Sequence, residues 1–150
     1  MYNWIELKSQ EDINSFMDSI NNFHDSCLKE IKYTSGAYVT ENLSMQPFSN
    51  QRMLSMVVQR QFSNPKVIEL EFGELSYLKL VPIEYGELGF IGDISSVTML
   101  FKDGYIYWCD DGTLTENDID DYQGIVVCAK SVRWREADEY IGSEEVYIRR

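Results

Sequence analysis

The sequence predicts a mainly β (α+β) domain: an N-terminal helix, then an antiparallel β meander forming a curved sheet, a sandwich or a partly open barrel. Three observations carry this. Apolar residues recur at helical spacing near the start and then alternate with polar ones. Turn residues return at short spacing along the rest of the chain. The 10 tyrosines and 7 phenylalanines favour pleated surfaces, where flat rings pack well.

The helix is read in SQEDINSFMDSINNF, residues 9–23. Ser9 is placed to cap it, and Asp12 stands at the capping-box position. Ile13, Phe16, Met17 and Ile20 form one apolar stripe that should face a sheet. From Cys27 the period becomes two, and CLKEIKYT puts Cys27, Ile31 and Tyr33 on one face with Glu30 and Lys32 opposite. AYVTENLSM reads as a short strand, and RMLSMVVQRQF as a stronger one ended by Asn64-Pro65. KVIELEF alternates, with Ile68, Leu70 and Phe72 opposed to Glu69 and Glu71. Gly73 then marks a turn into LSYLKLV, which Pro82 ends.

SSVTMLFKDGYIYWCD is a hairpin signal, because Asp103-Gly104 suits a two-residue turn whose twist matches that of the strands. That turn pairs Lys102 with Tyr105, Phe101 with Ile106 and Met99 with Trp108. Val97, Met99, Phe101, Ile106 and Trp108 then share an apolar face, leaving Cys109 on the other face beside tyrosines. GIVVCAKSVRWR reads as a long strand and EVYIRR as a last one, for about seven to nine strands in one domain over residues 1–150.

The 150 residues suffice for a core without disulfides or metal. The net charge is −12, from 25 acids and 13 bases. Such a field repels nucleic acid and anionic membranes and attracts a basic protein partner. No apolar run is long enough to span a bilayer, and MYNWIELKSQ lacks the features of a signal peptide. With three scattered cysteines, this places the chain in a reducing cytoplasm with free thiols.

His24, Cys27, Cys109 and Cys128 have the ligand types of a zinc site but lack two short-spaced pairs, so buried thiols are expected instead. His24 and Cys27 stand three apart, which in a strand sends their side chains to opposite faces, against a nucleophile–base pair. No glycine-rich phosphate loop, hydrolase elbow or HExxH helix is present, so no catalytic residue, metal or cofactor is assigned. Asp110, Asp111, Glu116, Asp118, Asp120 and Asp121 crowd one loop, and with Asp103 they make residues 103–121 acidic with no lysine or arginine. DDGTLTENDIDD does not fit the EF-hand template, so the loop reads as a landing patch for a basic protein.

Phe23, His24, Asp25 and Ser26, after a short helix, resemble the Phe/Leu-His-Asp-Ser/Ala signature that begins an early strand in a loose group of small bacterial domains. Some of these domains look like immunity proteins of polymorphic toxin systems, which bind and neutralise a toxin domain. The resemblance covers mainly residues 22–33 and implies a non-enzymatic bacterial binding domain. In the residues themselves the motif reads as structural: Asp25 and Ser26 bonding nearby backbone N–H groups, and His24 fastening the junction through a backbone bond. Two other classes fit the same sequence. One is a small enzyme or ligand carrier with a tyrosine-lined pocket in a curved sheet, the other a structural or assembly module.

Overall fold

A computed structural model describes residues 3–47, 50–82 and 92–148. The helix α1 spans Gln10–Ser19, and the Ser9 side chain accepts the Asp12 N–H at 3.0 Å. Asp12 reaches back to the Lys8 N–H at 2.9 Å, one residue before the N-cap. The helix is shorter than its apolar stripe. Asn21–Phe23 form a 3-10 turn in which all three residues have positive φ, and this turn swings the chain into the sheet.

Seven strands form one antiparallel sheet that is not closed into a barrel. They are β1 (Ile5–Glu6), β2 (Ser26–Thr34), β5 (Met53–Arg60), β6 (Val67–Lys79), β7 (Thr98–Lys102), β8 (Tyr105–Cys109) and β9 (Val126–Glu136). The order is β2-β5-β6-β9-β8-β7, so β9 inserts between β6 and the β7–β8 hairpin. β1 pairs with β9 at Trp134 and Arg133, farther along that strand than β8 reaches. The segment read as one strand around residue 40 is instead a hairpin of two short strands, β3 (Tyr38–Val39) and β4 (Met45–Gln46), which form a separate sheet.

The register explains the faces. The β7–β8 hairpin pairs Lys102 with Tyr105, Phe101 with Ile106 and Met99 with Trp108, as the Asp-Gly turn requires. In β2 a bulge between Leu28 and Glu30 shifts the alternation. Leu28 and Ile31 therefore pack against the core, and Cys27, expected beside Ile31, is exposed opposite Gln59. Gly73 is no turn. It lies inside the 13-residue strand β6, opposite Ser131, where a Cβ would stand 2.5 Å from Ser131 Oγ. Glycine is used here for close approach.

The inner face carries the core. Leu54, Met56, Ile68, Leu70, Phe72, Ile106 and Trp108 are fully buried with Ile13 and Phe23, and Phe16 and Met17 of α1 complete the cover. Each such side chain contributes about 1.5–3 kcal/mol of burial. The outer face bears two smaller clusters. One underlies the β8–β9 connection, and the other packs Val57, Val67 and Ala137 under Tyr140, Val146 and Tyr147. Of EVYIRR, residues 145–150, expected as a strand, residues 145–148 form none, and 149–150 lie outside the described residues. The Glu30 carboxylate accepts the N–H groups of Val146 at 2.7 Å and Tyr147 at 3.0 Å.

Candidate functional site

The acidic loop is a cap on the outer face of β8 and β9. Leu114, Ile119 and Tyr122 anchor it against Tyr107, Cys109, Val126 and Cys128. Its carboxylates divide by what they touch. Asp110 turns inward: one oxygen accepts the Ile125 N–H at 3.0 Å and the Tyr122 hydroxyl. Asp111 accepts the Thr113 N–H at 2.8 Å and hydroxyl at 2.7 Å. Asp118 closes the same kind of turn on the Thr115 N–H and hydroxyl, at 2.8 and 2.9 Å, and these bonds hold its pKa below the ordinary value. Asp120 lies 3.4 Å from Lys102 Nζ, which also donates to the Glu116 carbonyl at 3.2 Å. The Glu116 and Asp121 side chains are exposed and have no partner among the described residues.

The loop's own sequence therefore builds half of its shape. Asp-x-Thr and Thr-x-x-Asp pairs form local turns, and the buried Ile119 sets which way the acids face. Exposed carboxylates are left on a rigid cap instead of a loose tail. Lys102, across the hairpin, tempers the field at one corner. It was not legible as a cap partner, because only the sheet brings it there.

The motif at the start of the sheet gathers a different set of contacts. Phe23 is fully buried, with ring centroids 5.8 Å from Phe16 and 6.1 Å from Trp108. Ser26 and Ile94 exchange backbone bonds at 3.3 and 2.7 Å, and Val97 donates to the Asn22 carbonyl at 3.1 Å. His24 Nδ1 lies 2.8 Å from the Ser95 carbonyl oxygen. The motif thus ties residues 94–97 to the beginning of β2. Asp25 and Ser26, expected to bond backbone N–H groups, do otherwise. The Asp25 carboxylate lies 3.4 Å from His24 Nε2, and the Ser26 hydroxyl donates to the His24 carbonyl at 3.4 Å. The local holding is done by main chain, with the Gln61 N–H donating to the Asp25 carbonyl at 3.0 Å. Asp25 itself has a positive φ of 52°.

The four zinc-type residues are dispersed. Cys27 is exposed, whereas Cys109 and Cys128 are buried under the cap. Burial pushes the Cys109 thiol up to about 12, with Asp110 and Asp111 adding to it, and burial likewise raises Cys128. Among the described residues no group of three or more His, Cys, Asp or Glu is arranged to hold a metal ion. His24 faces Asp25, not the Cys27 thiol.

One feature went unread in the sequence although its signal was there. Glu69 and Glu71 on β6 stand opposite Arg135 and Arg133 on β9. Arg135 Nε donates to Glu69 at 2.7 Å with side chains only 3% and 8% exposed, and Arg133 donates to Glu71 at 2.8 Å. Trp4 stacks on both guanidinium groups. Matching acidic and basic alternation in two strands is the signal that could have paired them.

The chain matches no family model, no characterised protein and no solved structure. The chain is a mainly β domain with an open antiparallel sheet, a helix on the inner face and an acidic cap on the outer one. Among the described residues no helix is long and apolar enough to cross a membrane.

Proposed function

We propose that this chain is a non-catalytic, acidic binding domain of a reducing cytoplasm that captures a basic protein on the cap between β8 and β9. An immunity protein neutralising a basic toxin domain is the specific form that the resemblance at Phe23–Ser26 implies. The observation that carries the reading is the cap itself. Glu116, Asp118, Asp120 and Asp121 are exposed on a short segment anchored by the buried Ile119. A net charge of −12 extends the same field over the molecule. Such charges steer encounter and raise association rate more than they slow dissociation.

The test begins with capture of partners from the native host at low and high salt, followed by binding kinetics on the protein recovered. Glu116→Gln with Asp121→Asn is the informative variant, because neither side chain holds a turn. Association with a basic partner should slow several-fold while the dissociation rate and the melting temperature stay near the parent's. An unchanged association rate would remove the cap from the interface. Turnover of a small molecule, abolished by one pocket substitution, would replace the binding reading with an enzymatic one.

A further inference from the structure

β3 and β4 form a two-stranded arm that pairs with no other strand among the described residues. An isolated hairpin is marginally stable in water, because it has no packed face. This one shows its apolar residues to solvent. Val39 and Met45 stand directly opposite one another and so share a face, and they are 51% and 64% exposed. Leu43, in the connection between the strands, is 84% exposed. It also has φ of +69°, a left-handed backbone that a bulky apolar residue adopts only at a cost. The turn is firmly closed all the same. Leu43 donates its N–H to the Thr40 carbonyl at 2.9 Å, and Thr40 donates to the Ser44 carbonyl at 3.0 Å. Strain that holds an apolar side chain outward calls for a surface to cover it.

Charge indicates which surface. Residues 33–59 hold two charged side chains, Glu41 and Arg52, and no net charge, within a chain of −12. Two copies meet here against less repulsion than the acid excess imposes elsewhere. A bilayer fits less well, because Glu41 lies in the same turn as Leu43 and insertion would bury it. The arm's charges are also arranged for a copy. Glu41 is exposed at the tip. Lys32 and Arg52 stand at the root, where Thr34 pairs with Met53. None of the three has a charged partner among the described residues. Two arms laid antiparallel about a two-fold axis bring each tip to the other's root, and the axis makes every such contact twice. We propose that the chain self-associates as a two-fold dimer through the β3–β4 arm. Val39, Leu43 and Met45 pack on the same residues of the second copy, and Glu41 meets Lys32 and Arg52 across the axis. The arm follows β2, at the sheet edge away from β7 and β8, so the proposal does not rest on partner capture by the cap.

Sedimentation of the full chain over a range of concentrations tests this. A contact of this size is of the weak class, with a dissociation constant on the order of 100 µM. Leu43→Asn suits the left-handed turn better than leucine does and removes the apolar tip. It should weaken the dimer at least about tenfold, while the dilute protein melts at or above the parent's temperature. Glu41→Lys and Lys32→Glu should each weaken association several-fold. Mixed one to one, they should pair better than either alone, since one tip–root contact is then the parent's and the other has its signs exchanged. The proposal fails if Leu43→Asn associates like the parent, or if mixing yields no more dimer than the separate variants. A parent that stays monomeric at about 1 mM also overturns it. Binding of that monomer to phosphatidylcholine vesicles, lost in Leu43→Asn, would assign the arm to a membrane instead.

Discussion

At the scale of the residue, Asp25 shows how a correct segment can have an unexpected cause. Short polar residues at a helix–strand junction suggest side-chain capping. Here the requirement is backbone: Asp25 has φ of +52°, and its carbonyl accepts the Gln61 N–H. Left-handed backbone is tolerated by Asp and Gly far better than by Ala. Asp25→Ala should therefore cost about 1 kcal/mol. Asp25→Gly should unfold in urea near the parent's midpoint, whereas a capping role would make it as damaging as alanine. The cysteines separate by position. Cys27 is exposed, while Cys109 and Cys128 are buried with raised pKa. A thiol reagent should modify one group quickly in the native protein and all three only after unfolding, with Cys27→Ser removing the fast phase.

At the scale of the element, the C-terminal segment is held by the sheet's charged outer face. Glu69 accepts from Arg135 and, at 2.5 Å, from the Tyr147 hydroxyl; Arg135 also meets Glu139 at 2.8 Å. Glu69→Ala removes the more buried of the two carboxylates on the Arg135 guanidinium and should cost about 3 kcal/mol in chemical denaturation. Replacement by Gln should cost less, since its oxygen still accepts from Arg135 while its NH2 group can donate to the Tyr147 hydroxyl, which rotates to accept. A loss below 0.5 kcal/mol, the scale of an exposed pair, would show that the other partners of Arg135, Glu139 among them, suffice. The β7–β8 hairpin is set by local chemistry instead. Asp103 and Gly104 have φ of +54° and +82°, and nothing lies near a Cβ built on Gly104. Gly104→Ala should thus cost about 1 kcal/mol from backbone strain alone, measured as a fall in melting temperature.

At the scale of the whole molecule, the buried phenols and thiol limit stability at high pH. Burial raises Cys109, Tyr107, Tyr122 and Tyr147, with Asp110 reinforcing Tyr122 and Glu69 reinforcing Tyr147. A group whose folded pKa lies above its unfolded value stabilises fully below the unfolded value and loses that contribution as pH rises. For Cys109 the window runs from 9 to about 12, and the tyrosines begin to add at 10. Melting temperature should hold through neutral pH and fall steadily above about pH 9, more shallowly in Cys109→Ala. Salt should act with two signs. Screening of the −12 charge should raise the melting temperature, while the same screening slows capture of a basic partner. Salt that lowers both would contradict a fold strained by its own acidity.

What the sequence determined by itself was local. Helical spacing located α1, the Asp-Gly pair set the β7–β8 register, and alternation sorted the faces of β6 and of the β7–β8 hairpin. These are readable because each depends on backbone geometry within a few residues. The acids of the cap were also visible, though not that Asp110, Asp111 and Asp118 hold its turns. Only the tertiary structure decided the bulge that exposes Cys27, the passage of Gly73 through a continuous strand, and the insertion of β9 beside β6. It alone brought Leu28, Ile94 and Trp108 around one cavity. Such features arise where strands distant in sequence must share one register and one packed face, and no single strand's alternation records which neighbour it will meet.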